Sequence, residues 1–190
     1  KSIIFLPMAI SAVGASVIWK FVYSFQPAGR PQIGLLNAVY VALGGDPQGW
    51  LILQPWNNFF LIFIMIWGLT GFARVVLSSA VKGVPGELLE AARIDGATEV
   101  NIFFRVIIPY IRGTLITVTT TVLIMVLKVF DIVFVMTSGQ FKTEVIANRL
   151  AVAMFTFRNF GHASAIAVVL LIAVIPVLIY NVRGMQDQRS

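Results

Sequence analysis

Half of the eight acidic residues in this 190-residue chain, Glu87, Glu90, Asp95 and Glu99, lie in one stretch between Val84 and Pro109. A carboxylate on a polar helix forms charge-assisted hydrogen bonds with an arginine or lysine that another protein brings to it. Glu90 is followed by Ala91 and Ala92, whose methyl groups let a second surface come close beside that carboxylate. Without a partner, the same stretch would be a loop that caps two membrane helices.

A second group lies in apolar sequence. Thr117, Thr121, Met125 and Lys128 recur at spacings of three or four, with Asp131 one turn beyond Lys128, so a helix would carry them as one stripe. A charge at the bilayer centre costs about 2.5 to 3.5 kcal/mol on insertion scales, which predicts that Lys128 and Asp131 pair, sit near a helix end or line a cavity. An ion pair within one helix is favoured slightly over direct contact with a polar ligand. Trp67 and Gly71, one turn apart and flanked by Gly68 and Phe72, set an aromatic surface beside space for a ligand or a neighbouring helix, and core packing explains them equally well. His162 beside Gly161 is more simply an interfacial residue than a proton relay.

Other chemistry is poorly represented. The chain has no cysteine and one histidine, so a disulfide framework and a thiolate or histidine-rich metal site are not expected. No GxxxxGK[ST] phosphate loop occurs, and no GxSxG or HExxH string marks a hydrolase. The net charge of +6 comes from basic residues scattered between apolar runs, which argues against a nucleic-acid partner.

These residues need a membrane-embedded scaffold. With 58% hydrophobic residues and a mean hydropathy of +0.91, the chain has too little polar material to cover a water-facing globule. A bilayer core of about 30 Å takes roughly 20 apolar residues in a helix. Four stretches qualify: Ile3 to Phe25, with Lys20 snorkelling near its end; Leu53 to Leu77; Tyr110 to Met136; and Ala163 to Val182. Their continuous apolar character lacks the alternation of a barrel strand, so the expected class is all-α, a polytopic helical membrane protein with about four transmembrane helices. Asp131 is the one acid in these spans, which speaks against an ion-coupled transporter.

Between the first two spans, Pro27, Pro31, Pro47, Pro55 and the Gly44-Gly45 pair predict a loop without regular structure. Residues 137–162 predict a loop with a short amphipathic helix, and Ser78 to Pro109 a polar helical hairpin. In that hairpin Pro85 suits a first helical position, with Glu87 and Glu90 following where negative charge favours the helix dipole. Gly96 suits a left-handed C-cap and Thr98 the N-cap of a second helix, which carries Ile102, Phe103, Val106 and Ile107 to an end at Pro109. Arg74, Lys82, Arg93, Arg105 and Arg112 surround the hairpin and Arg183 and Arg189 follow the last span, so the hairpin and the C-terminus are expected on the cytoplasmic side. Lys142, Arg149 and Arg158 weigh against that orientation, while the alternation of spans requires the hairpin and C-terminus to share a side.

The order Glu90-Ala91-Ala92, Gly96, then Val106-Ile107-Ile108-Pro109 resembles the EAA signature of binding-protein-dependent ABC importer permeases. Arg93-Ile94-Asp95-Gly96-Ala97 and Phe103-Phe104-Arg105 resemble its carbohydrate-uptake branch. So do Leu6-Pro7-Met8-Ala9, Trp67 with Gly71-Phe72, Phe130-Asp131, Met136 to Gly139 and Phe160 to Ala165, and the resemblance thus covers nearly the whole chain. Two departures are visible: Thr137 to Phe141 lacks the usual proline, and Val106 and Ile108 stand where Ile and Leu are common.

The resemblance implies that residues 1–190 form one permease domain, the C-terminal part of a longer chain, since an apolar run follows Lys1 at once and such permeases have at least one helix more. It implies that the loop at about 78–109 docks on a separate ATPase through Glu90, Ala91, Ala92 and Gly96, with Asp95 beside them. The chain itself would bind no cofactor and catalyse nothing, with ATP and magnesium on the ATPase subunits. A second, similar permease subunit, an extracytoplasmic sugar-binding protein, membrane lipid and a maltose-like or alpha-glucoside sugar complete the implied set, in a bacterial inner membrane. Candidate pathway residues are Trp67, Gly68, Gly71, Phe72, Thr121, Met125, Lys128 and Asp131. An ATP-independent transporter or channel subunit is the alternative, with an integral membrane enzyme and a scaffold behind it.

Overall fold

The computed structural model describes residues 7–186, with side-chain surroundings through residue 179. Every regular element among the described residues is helical. The chain divides into two compact units, residues 1–71 with 128–171, and residues 72–127 with 172–190.

The first unit holds α1 (Ala12–Val22), α2 (Leu35–Ala42), the first part of α3 (Asn57–Lys82) and of α10 (Phe160–Gln186), and two short helices, α8 (Asp131–Met136) and α9 (Ile146–Ala151). Its core packs Tyr23, Leu61, Ile64, Val133 and Met136 together. Aromatic rings extend this core in a chain of edge and tilted contacts from Trp67 through Trp19, Tyr23 and Phe60 to Trp50, with centroids 5.2 to 5.6 Å apart. Such ring pairs add to the stabilisation from apolar burial. The Lys20 ammonium donates to the Val135 carbonyl at 3.0 Å, satisfying a carbonyl in the last turn of α8 where a cation is favoured by the helix dipole.

The second unit holds the end of α3, then α4 (Gly86–Ile94), α5 (Glu99–Ile102), a wide π-helical turn at Phe103–Ile107, α6 (Ile108–Tyr110), α7 (Arg112–Leu127) and the end of α10. Ile102 and Ile111 are buried on either side of the wide turn.

Three helical stretches have the length and apolarity to cross a membrane: Asn57–Lys82, Arg112–Met136 and Phe160–Ile179. The first expected span differs. Its residues Ile3 to Leu6 lie outside the described residues, and from Pro7 on a separate turn, in which Ile10 N–H reaches the Pro7 carbonyl, precedes α1. Helix α1 starts where the Ser11 hydroxyl accepts from Gly14 N–H, and its 11 residues reach about 16 Å, half of a bilayer core. Apolar composition cannot report a serine cap that restarts the helix. Lys20, expected to snorkel to the headgroups, is instead engaged with Val135.

The second span begins beyond Pro55 and continues to Lys82, so Ser78 to Lys82 belong to α3 and the polar hairpin starts at Gly83. The third is interrupted: α7 ends at Leu127 and α8 starts at Asp131, with Phe130 at φ −136°, ψ −58° between them. The fourth is α10.

The segment at 26–54 also departs from expectation, because α2 fits between Pro31 and Gly44. Buried Asn37 holds it in place, donating to the carbonyls of Ser24 and Gln48 and accepting from Gln48 N–H at 2.9 to 3.0 Å. Breaker residues mark where a helix must stop, and eight residues between two of them are enough for two turns. The short helix expected within 137–162 is present as α9, prolonged by a wide turn at Val152–Thr156.

Candidate functional site

The hairpin is built by two cap structures and one ion pair. Pro85 precedes α4 and occupies its N-cap, one position earlier than expected. At the other end Gly96 has φ +79°, the left-handed conformation that glycine adopts without steric cost. Gly96 N–H donates to the Arg93 carbonyl and Ala97 N–H to the Ala92 carbonyl, both at 3.0 Å, which is the paired Schellman arrangement that satisfies the last carbonyls of a helix. Thr98 then caps α5, its hydroxyl accepting from Asn101 N–H at 3.4 Å.

Arg93, in the last turn of α4, donates through Nε to Glu99 Oε1 at 2.9 Å across the bend. The hydrogen bond and the opposite charge hold the Glu99 carboxyl below its ordinary range and raise the Arg93 guanidinium further. Both side chains are exposed, so the pair orients the two helices more than it stabilises them. Glu99 is thereby used within the hairpin.

Glu87, Glu90 and Asp95 remain solvent-facing, and the ion pair between Arg93 and Glu99 is the one found among the described residues. Glu87, Glu90, Ala91 and Ile94 fall at spacings of three, one and three on α4, so they share one face. Ile94 is 86% exposed at the end of that face. Carboxylates, a methyl-sized gap and a bare isoleucine make a surface suited to a groove with a cation and an apolar floor.

Beyond α5 the chain passes through Pro109 instead of ending there. Proline has no N–H, and in an α-helix its ring would press on the carbonyl four residues earlier, that of Arg105. The wide turn at Phe103–Ile107, closed by Ile108 N–H to the Phe103 carbonyl, accommodates the proline within a continuing helix.

The candidate pathway residues are less of a unit. In the first unit Trp67 packs edge-on against Trp19 at 5.6 Å, Gly68 is half-buried and Gly71 is buried. Lys128 is exposed where α7 has ended, and Asp131 opens α8, half-buried. No ion pair joins them. The expected pair needs one continuous helix through both, and the break at Phe130 removes the one-turn geometry. In the second unit Phe72 is half-buried, Met125 is exposed, and the Thr121 hydroxyl donates to its own helix at the Thr117 carbonyl, 2.8 Å away. His162 is exposed in the first turn of α10.

Motif reading missed a second ordered feature, the segment at 137–148 in the first unit. Ser138, Gly139, Phe141 and Lys142 all have positive φ, between 52° and 78°. Proline, fixed near φ −65°, fits none of these four positions. Fully buried Asn57 donates to the Phe141 carbonyl at 2.7 Å, fully buried Asn148 to Glu144 Oε1 at 2.6 Å, and the Thr137 and Thr143 hydroxyls meet at 2.6 Å. The available signal was the spacing of four between Glu144 and Asn148; nothing local points to Asn57.

The family model described as binding-protein-dependent transport system inner membrane component matches residues 2–190. The chain is 61% identical over 190 residues to the osmoprotective compounds uptake permease protein GgtC of Synechocystis sp., covering 100% of this chain and 68% of that protein. It is 56% identical over 185 residues to the alpha-glucoside transport system permease protein AglF of Rhizobium meliloti, covering 97% of this chain and 55% of that protein. A chain of a bacterial ABC transporter involved in the import of the acidic polysaccharide alginate has the same fold, with a TM-score of 0.84 at 24% identity, over 97% of this chain and 64% of that one. The chain thus spans about half to two thirds of the length of these relatives.

Proposed function

Since this chain belongs to the binding-protein-dependent transport system inner membrane components, we propose that it is the membrane-spanning permease subunit of an ABC importer that carries a sugar of the alpha-glucoside class. The observation that carries the coupling role is the Gly96 bend, which leaves Glu90, Ala91 and Ile94 on one solvent-facing side of α4 with Asp95 next to it. A partner ATPase with a cation at the edge of an apolar groove would receive that side. ATP and magnesium belong to the partner, and this chain contributes a pathway and a lever with no catalytic group of its own.

Residues 1–190 serve as one permease domain, a portion of a longer subunit. The hairpin and the C-terminus lie on the cytoplasmic side of the bacterial inner membrane, supported by Arg74, Lys82, Arg105 and Arg112 around the hairpin. Helices α7 and α10, as two successive spans, return the C-terminus to that side. A second permease subunit and an extracytoplasmic binding protein complete the importer, in keeping with an alginate ABC transporter solved with its periplasmic protein. Trp67, Gly68, Gly71, Phe72, Thr121, Met125, Lys128 and Asp131 are the residues proposed for the pathway. The names of the two relatives described above suggest alpha-glucosides and osmoprotective compounds for the substrate panel.

The test is ATP hydrolysis by the complete importer in lipid, with and without its binding protein and that panel. Stimulation by a glucoside, abolished by Glu90→Lys in a complex that still assembles, is the expected result. Normal transport by an assembled Glu90→Lys complex overturns the role of Glu90, and stimulation by none of the panel overturns the substrate class.

A further inference from the structure

Helix α7 and the end of α10 border a groove of about 460 Å³ within the second unit, lined by Arg112, Leu115, Ile116, Thr119, Leu123 and Pro176 among others. Arg112 is the first residue of α7 and Leu123 lies eleven residues on, a rise of about 16 Å. That is the depth of one leaflet of a bilayer whose core is about 30 Å thick. The groove therefore has a guanidinium at one end and an apolar wall running about as far as one acyl chain does.

The uncharged polar side chains on the wall are those of Thr119 and Thr120. The Thr120 hydroxyl donates to the Ile116 carbonyl at 2.7 Å, and Pro176 offers no N–H. The guanidinium is not accounted for. It makes no ion pair among the described residues, and neither α7 nor α10 contains an aspartate or glutamate. Arg112 is exposed, and an anion that pairs with it would come from outside the groove. A free anion would satisfy the charge and leave the apolar length unused, whereas an anionic phospholipid satisfies both, since basic pockets between membrane helices take phosphate headgroups while the chains stay in hydrocarbon.

We propose that this groove is a binding site for an anionic phospholipid such as phosphatidylglycerol, with Arg112 on the phosphate and one acyl chain along Leu115, Ile116 and Leu123. The site requires membrane embedding and is independent of which solute is carried.

Native mass spectrometry of the complete importer, released from bilayers of phosphatidylglycerol and phosphatidylcholine, counts the lipid retained. Wild type retains phosphatidylglycerol in preference to phosphatidylcholine, Arg112→Gln retains it about fivefold less, and Arg112→Lys restores most of the retention. Thr119→Trp, which fills the groove and keeps the cation, also loses it. Equal retention by wild type and Arg112→Gln overturns the site. So does displacement of the lipid by millimolar inorganic phosphate, which would mean a free-anion site. A Thr119→Trp complex that loses a subunit while lipid retention on the rest is unchanged overturns it too, because a partner helix would then be the occupant. None of these readouts uses transport, so failure here leaves the importer function standing.

Discussion

The Arg93 guanidinium meets the Glu99 carboxylate at 2.9 Å across the Gly96 bend, joining the last turn of α4 to the first turn of α5. One of the four acids of the hairpin is thus an internal strut, and Glu87, Glu90 and Asp95 are left for a partner. The strut has a pH signature. Glu99 has a depressed folded-state pKa because Arg93 hydrogen-bonds and attracts it, so its contribution is present above the ordinary carboxylate value of about 4.3 and is lost as pH falls through the lower folded value.

Carbon-detected NMR of the labelled importer should therefore place the Glu99 titration below that of an unpaired glutamate, and Arg93→Gln should return it to the ordinary range. An unshifted Glu99 in wild type would mean that the pair does not persist in solution. Because both groups are exposed, the global stability change should be small.

Substitution at Gly96 acts through the backbone. A β-carbon there would meet nothing within 4 Å, yet φ is +79°, so the cost is conformational, about 1–2 kcal/mol for a residue that resists the left-handed region. Gly96→Val should lower coupled ATP hydrolysis severalfold while Gly96→Asn, which tolerates positive φ, stays near wild type. Equal loss in both variants would point to steric exclusion by the partner instead.

Asn57 ties the start of α3 to the Phe141 carbonyl in a segment with four residues at positive φ. Asn57→Ala leaves that carbonyl without its donor and should cost about 1–3 kcal/mol, seen as a lower melting temperature of the purified complex. Gly139→Ala should be at least as harmful, because its β-carbon would crowd Asn148 and Glu144. A melting temperature unchanged in both would show that the segment contributes nothing to folding stability.

Lys20 caps α8 from α1. Lys20→Met keeps the length and apolar stem but removes the donor, and the expected loss is about 1 kcal/mol, accompanied by faster hydrogen exchange at the C-terminal end of α8. Unchanged exchange there would mean the ammonium resides in the headgroups after all.

The hairpin's caps were readable because they depend on neighbours. Gly96 and Thr98 act within a few residues of themselves, and an apolar run of membrane length announces a span whatever surrounds it. Pro109 misled because a proline ends an α-helix only where the ladder cannot widen, and the turn at Phe103–Ile107 widens it. The Arg93–Glu99 pair was hidden for a related reason: six residues apart is not a helical contact until the bend folds it back.

Composition, run length and cap residues by themselves determined that this is an all-helical membrane protein with a bent acidic hairpin between two spans, and the order of residues in that hairpin determined its family resemblance. Tertiary structure alone decided that α7 breaks before Asp131 and that Asn57 and Lys20 reach partners 84 and 115 residues away. Periodicity and caps record what a residue does to its own turn, whereas the partner of a buried amide or an ammonium is set by which distant segment packs against it, and no local spacing carries that information.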